Sequence, residues 1–356
     1  MRERLRELGF TVGRLTPGPR CSLVDVPGVL VGHVTLREGD SVRSGVTAVL
    51  PHGGNLYDGK VLAGCHVMNG YGKAAGLLQL KELGTLESPI LLTNTLSVGP
   101  VWEGGLRHAL EQNPGAAVDR DTINVVVAEV FDGWLSDARA LPVRAEHAQA
   151  AIAAASDGDV AEGAVGAGTG ATCFGFKSGV GCSSRVVEGG HVLGCLVVSN
   201  YGGKRDLHML VGAEAAAAHV AGGSAGPPSP DRGGSIVIVL ATDAPLSERQ
   251  LRRVAARAAF GLGRAGSFAA NGSGELALAF STAHRLPHRA DDPQHSLRLL
   301  RDDSAAMREL FEAAGDVTQE AVLNSLCAAE AEEGRDGHRA EEFPHELVPA
   351  ALGAGG

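Results

Sequence analysis

Apolar and polar positions fall into short blocks along this chain, and the period of the pattern changes from block to block. Over residues 21–51 brief Val-rich runs, SLVDVPGVLVGHVTL and SGVTAVLP, are separated by Gly and Pro and read as strands joined by turns. Residues 73–83 place Leu77, Leu78, Leu80 and Leu83 at helical spacing, and 101–110 and the alanine-rich 142–155 give two further helices. Residues 89–94, 123–128 and 192–199 are short apolar runs of strand length, and 235–241, SIVIVLA, is the strongest of them. Ser247 with Gln250 three residues later has the form of a capping box and opens a helix through ERQLRRVAARAAF. A strand near 276–280 and two amphipathic helices, 302–314 and 318–331, complete the pattern.

Two stretches break it. GAVGAGTGATCFGFKSGVGCSS carries a glycine every two to three residues, too dense for a stable helix, and implies close backbone approach near a functional cleft. It is not a nucleotide loop, because no Walker lysine and hydroxyl residue follow. The second, GGSAGPPSPDRGG at 222–234, reads as a flexible, exposed linker. Strands and helices on its two sides need one another to bury their apolar faces. The expectation is therefore one layered α/β body over 1–356 rather than two independent domains.

Composition narrows the function. A formal net charge of -10 leaves no basic surface for a nucleic acid, and Arg252, Arg253, Arg257 and Arg264 share a helical pattern that reads as a solvated face. The six cysteines are unevenly spaced, with no CxxC and no zinc spacing, so we expect reduced, buried thiols, no metal and no cofactor. MRERLRELGFTVGRL has no apolar core of the signal-peptide kind, and no run of 18 apolar residues occurs. The expectation is a cytoplasmic protein without a membrane span.

The linker ends in Gly-Gly, and Ser235 follows at once with a strand behind it. Cleavage of a peptide bond by the next residue's hydroxyl proceeds through an N-to-O acyl shift, and a glycine on the carbonyl side removes steric obstruction. Hydrolysis then frees an α-amine beside the same hydroxyl, with an ordinary pKa of about 7.7–8.0, able to act as its base. Taken alone, a Gly-Gly-Ser at a loop-to-strand junction is structurally ordinary. None of the histidines sits in a nucleophile elbow, so an amine-led serine fits better than a Ser-His-Asp triad, and His33 and His66 read as packed or surface residues.

Nine ordered blocks decide the matter: DVPGVLVGHVT (25–35), AGCHVMNGYGKAAGL (63–77), SPILLTNTLSVG (88–99), VVVAEVFDGWLSD (125–137), the glycine-rich run (162–187), SNYGGKRDL (199–207), GGSIVIVLATDAPL (233–246), GSGELALAFST (272–282) and VLNSLCAAEAEEGRDG (322–337). Together they resemble the DmpA/BapA-type self-processing peptidases, the L-aminopeptidase/D-amidase-esterases and β-peptidyl aminopeptidases. The resemblance implies an α/β fold, a four-layer αββα sandwich of the DmpA/ornithine acetyltransferase type. It implies cleavage between Gly234 and Ser235 into an α chain, 1–234, and a β chain, 235–356, assembled as a homotetramer of αβ units.

On the same resemblance Ser235 is the nucleophile, Ser273 and Glu275 are grouped with it, and Asn200 donates in the oxyanion hole. Glu129 pairs with a substrate ammonium, and Phe131 lines the pocket where relatives carry tyrosine or phenylalanine. With no hydroxyl there, Asn200 must carry more. Asn69 is expected at the substrate site, with Asn94 and Thr95 either beside it or in turn and core roles. Ser273 and Glu275, two apart at a strand start, share one face. The implied substrates are short peptides or aminoacyl amides and esters with a free amino group. The alternatives are an acyl transferase of the ornithine acetyltransferase type, which uses threonine at the cleavage point, and an inactive homologue with a binding role.

Overall fold

Most strands of this protein are buried on both faces, so each sheet must be covered twice. The structure, a computed structural model, describes residues 2–221 and 234–353. The stretch read as a linker, 222–234, lies outside the described residues apart from Gly234. The first part of the chain gives β1 (Leu30–Glu38), β2 (Val42–Leu50), β3 (Gly59–Gly70), α1 (Leu77–Glu82), β4 (Thr85–Leu86), β5 (Ile90–Asn94), α2 (Val98–Gln112), β6 (Val126–Val130) and α3 (Ala145–Ala153). Then come β7 (Thr172–Cys173), β8 (Phe176–Lys177), β9 (Val180–Val186), β10 (Val192–Asn200), α4 (Leu207–Val211) and α5 (Ala213–Ala221). After the undescribed stretch follow β11 (Ser235–Thr242), α6 (Glu248–Arg264), β12 (Gly274–Pro287) and α7 (Ala305–Cys327).

Of the two large sheets, one has the order β1-β2-β5-β6 and the other β4-β3-β12-β11-β10-β9. Three apolar cores separate four layers. α2 and α3 cover the first sheet, α6 and α7 cover the second, and the two sheets face each other across the middle core. This is the αββα sandwich.

Alternation along the strands fixes which residue meets which layer. In β11, Ile236, Ile238 and Leu240 enter the helix-side core, while Val237, Val239 and Ala241 enter the core between the sheets. β12 divides in the same way, Ala277 and Ala279 against Leu276, Leu278 and Phe280, and so does β10, Cys195 and Val197 against Leu196 and Val198. Each buried Val, Leu or Ile is worth about 1.5–3 kcal/mol. A one-residue slip would exchange every member of both sets, so the register of β11, and with it the direction of Ser235, is strongly held.

The capping box forms as expected. Gln250 N–H donates to Ser247 Oγ at 3.2 Å, and Ser247 N–H donates to Gln250 Oε1 at 2.9 Å. Elsewhere the structure corrects the pattern. The helix expected over 73–83 starts only at Leu77, because Ala75 is drawn into a bridge with Val127 at the open edge of β6. The strand expected over 123–128 lies at Val126–Val130, since its parallel partner β5 begins after Pro89 and pairs Ile90 with Val126. The two helices expected over 302–314 and 318–331 are one helix, α7. Gly315 does not break it but marks its crossing with α6, where a Cβ on Gly261 would strike the Gly315 carbonyl. β3 and β9 are strands that the pattern leaves unannounced. All six cysteines are free and buried.

Candidate active site

Ser235 is the first residue of β11 and lies between two neighbours. In the antiparallel β10–β11 pair it stands opposite Asn200, and in the parallel β11–β12 pair opposite Gly274. By the alternation above, Ser235 and Asn200 share the face toward the other sheet, and both line a cavity of about 520 Å³. The Ser235 hydroxyl oxygen accepts from the Phe131 N–H at 3.1 Å, and Ser235 is only 4% exposed.

Asn200 is the last residue of β10. Its Oδ1 accepts from the Thr172 N–H at 2.9 Å. A backbone N–H must be met by oxygen, so the amide can be oriented in one way only, with Nδ2 left for another acceptor. Among the described residues Nδ2 has no hydrogen-bond acceptor.

Across the cavity stands Glu129, in edge strand β6, buried yet lining the cavity wall. Its Oε1 accepts from the Lys73 N–H at 2.8 Å, and its Oε2 accepts from the Thr95 hydroxyl. No cationic side chain pairs with it among the described residues. A buried carboxylate met only by neutral donors is a site that favours a visiting cation. Phe131, half exposed, and Trp134 supply apolar wall, and Trp134 stacks on His338 at 3.8 Å between ring centroids. Among the described residues no histidine lines the cavity, and His33 instead bonds Thr47 Oγ1 at 2.9 Å, with burial pulling its pKa down to about 4.

Ser273 and Glu275 share a face, as their spacing requires, but it is the helix-side face and not the one that carries the Ser235 hydroxyl. The Ser273 hydroxyl donates to Glu275 Oε1. Burial pushes the Glu275 carboxyl above its usual range, the Ser273 bond partly offsets this, and Oε2 has no partner among the described residues. The pair borders a second, smaller cavity of about 220 Å³, and Gly234 borders both cavities. Among the described residues no hydrogen bond joins either side chain to Ser235 Oγ.

Gly234 is held tightly. Its carbonyl accepts from the Gly274 N–H at 3.0 Å, and a Cβ on it would strike the Asn200 carbonyl and Tyr201 Cα. Its need is for space. Asn69 lies off the cavity wall: its Nδ2 donates to the carbonyls of Ala270 (2.8 Å), Asn271 (3.2 Å) and Ser273 and so fastens the loop leading into β12. Asn94 likewise bonds Ser44 Oγ at 2.8 Å, whereas Thr95 does line the cavity. Sequence reasoning missed Thr172, the Phe131 N–H and the Gly274 N–H, because a backbone donor leaves no trace in residue type. Among the described residues no group of three or more His, Cys, Asp or Glu side chains is arranged to hold a metal.

The model of peptidase family S58 matches residues 22–340. A β-peptidyl aminopeptidase BapA of Sphingosinicella microcystinivorans is 38% identical over 371 residues, covering 98% of this chain and 91% of that protein. Among solved structures, the PH0078 protein of Pyrococcus horikoshii OT3 superposes with a TM-score of 0.90 at 44% identity, over 98% of this chain and 99% of that one. The L-aminopeptidase D-Ala-esterase/amidase of Ochrobactrum anthropi, described as a prototype of the serine aminopeptidases and a variant of the Ntn hydrolase fold, gives 0.88 at 35%, over 98% of both chains.

Proposed function

We propose, from the premise that the chain belongs to peptidase family S58, that its one active site is built around Ser235 and works twice, first on the chain itself and then on substrate. The protein is a self-cleaving serine aminopeptidase/amidase of the Ntn type. In the first act the Ser235 hydroxyl attacks the Gly234 carbonyl, whose oxygen is polarised by the Gly274 N–H. The hydroxyl proton ends on the Ser235 nitrogen as the C–N bond breaks and the acyl group moves to Oγ, and water then hydrolyses the ester. This leaves 1–234 and 235–356 as two chains of one body.

In the second act a substrate's ammonium rests on Glu129, and its carbonyl carbon meets Ser235 Oγ. The hydroxyl proton passes to the freed α-amine of Ser235. Charge developing on the carbonyl oxygen is met by Asn200 Nδ2, with the Phe131 N–H beside it. The amine then protonates the leaving nitrogen, and water releases the acyl group. Ser273 and Glu275 act on the amine rather than on the hydroxyl. The substrates are short peptides and aminoacyl amides or esters with a free amino group. By the family resemblance the processed units assemble as a tetramer, and the scattered reduced cysteines and the charged first 15 residues favour the cytoplasm. Among the described residues no helix is long and apolar enough to cross a membrane.

The observation that carries this reading is the placement of the Ser235 hydroxyl beside Asn200 and across from Glu129, a carboxylate with no cationic partner among the described residues. The test is N-terminal sequencing of the smaller band on a denaturing gel, with a panel of α- and β-aminoacyl anilides. Wild type should yield a fragment beginning at Ser235, and Ser235→Ala a single uncut, inactive chain. Full activity from an intact wild-type chain would refute it.

A further inference from the structure

The glycine-rich run contains one residue that the scheme above leaves without a task. Lys177, at the end of β8, is fully buried, and among the described residues its ammonium makes no ion pair. Its three donors go to three main-chain carbonyls, those of Gly168 (3.1 Å), Ala171 (2.9 Å) and Ser178. Enclosing an ammonium without a carboxylate is expensive, and burial pulls its pKa down to about 7. Ordinary packing would be served better by an apolar side chain.

What the three carbonyls have in common is Asn200. Gly168 and Ala171 lead into Thr172, whose N–H fixes Asn200 Oδ1. Ser178, on the far side of the β7–β8 hairpin, donates its hydroxyl to the Ser199 carbonyl at 2.7 Å, and Ser199 N–H donates to the Gly179 carbonyl at 3.0 Å. Lys177 therefore stands where the two supports of Asn200 meet, one reaching its side chain and one the backbone just before it. We infer that Lys177 is a positioning residue for the oxyanion donor: by tying the carbonyls of Gly168, Ala171 and Ser178 to one ammonium, it holds the hairpin in the shape that aims Asn200 Nδ2 at the substrate carbonyl. The inference rests on the role proposed above for Asn200.

An oxyanion donor moved by a fraction of an ångström loses much of its effect on the transition state while substrate binding is little changed. Self-cleavage, in which the Gly274 N–H already holds the Gly234 carbonyl, does not depend on Asn200 in the same way. Lys177→Met should therefore still cut itself, while kcat for an aminoacyl anilide falls about 30-fold and KM stays within about threefold. Asn200→Ala should lose about 10²–10³ in kcat, and adding Lys177→Met to it should cost less than about threefold more.

Independent, multiplying losses in the double variant would overturn the inference, as would loss of cleavage and turnover together. Wild-type kcat in Lys177→Met beside an inactive Asn200→Ala would remove Lys177 alone. Wild-type kcat in Asn200→Ala would remove the assignment beneath it. If Lys177→Met does not accumulate as folded protein, Ser178→Ala gives the decision: it removes only the bond to the Ser199 carbonyl, and kcat should fall severalfold at constant KM. An unchanged kcat there would count against the inference.

Discussion

Ser235 and Glu275 stand on adjacent parallel strands but on opposite faces of the same sheet. The carboxylate therefore cannot reach the Ser235 hydroxyl across the sheet, whereas the main-chain nitrogen of Ser235 lies in the sheet plane between the two faces. If cleavage frees that nitrogen, Glu275 Oε2, which has no partner among the described residues, offers an ammonium there a counter-charge.

This gives the first prediction. An adjacent carboxylate raises the pKa of the Ser235 α-amine, so Glu275→Gln should lower it. The acidic limb of the pH profile of kcat/KM should then move to lower pH while the plateau falls about tenfold or more. A plateau loss with an unmoved acidic limb would mean that Glu275 does not act through the amine.

The second concerns the substrate's charge. Glu129 accepts from the Lys73 N–H and the Thr95 hydroxyl, and one positive ligand would complete it. Glu129→Gln should raise KM for aminoacyl anilides, lowering kcat/KM by about 30-fold or more. It should barely alter the poor hydrolysis of the analogue that lacks the amino group. The measurement is the ratio of kcat/KM for amino and desamino substrates, which should collapse toward unity in the variant.

Gly234 sets the third. A methyl group there meets the Asn200 carbonyl and Tyr201 Cα, both backbone-anchored atoms that cannot step aside. Gly234→Ala should accumulate as an uncut or slowly cut chain on a denaturing gel. Processing at the wild-type rate would show that the space beside Gly234 is not needed.

Much of this was legible before the fold was known, and the remainder was not for a definite reason. The run SIVIVLA, the Ser247–Gln250 cap and the glycine before Ser235 are local signals that survive into the structure. One layered α/β body followed from the apolar pattern on both sides of the linker, and its four-layer form from the resemblance carried by the nine ordered blocks. What no local pattern holds is the pairing of Ser235 with Gly274, a register between strands distant in sequence that decides which face Ser273 and Glu275 occupy. Asn69, within the block 63–77, is expected at the substrate site on the resemblance. Its amide is spent on the carbonyls of Ala270, Asn271 and Ser273. The helices expected over 302–314 and 318–331 are one because Gly315, in the gap between them, sits at a helix crossing, and a glycine's role there depends on what the partner helix brings to it.

The last prediction comes from the layer beneath Phe131. Asp132 is buried, its Oδ2 accepts from the Ser44 hydroxyl at 2.6 Å, and its Oδ1 has no partner among the described residues. Burial raises its pKa to about 7, only partly offset by the Ser44 bond, against about 3.9 for an unfolded aspartate. Between those values the folded protein holds a proton that the unfolded chain has released. The stabilisation is therefore complete below about pH 4 and is lost as pH rises through about 7. Asp132→Asn keeps the neutral shape at every pH. Glu162, also raised to about 7 mainly by burial, and Lys177 titrate alike in both proteins and cancel in the comparison. From pH 5 to pH 8 the melting temperature of wild type should fall relative to Asp132→Asn by at least about 3 °C. A difference that stays flat across that range would mean Asp132 is ionised in the fold, with a cation or water at Oδ1 beneath the residue that donates to Ser235.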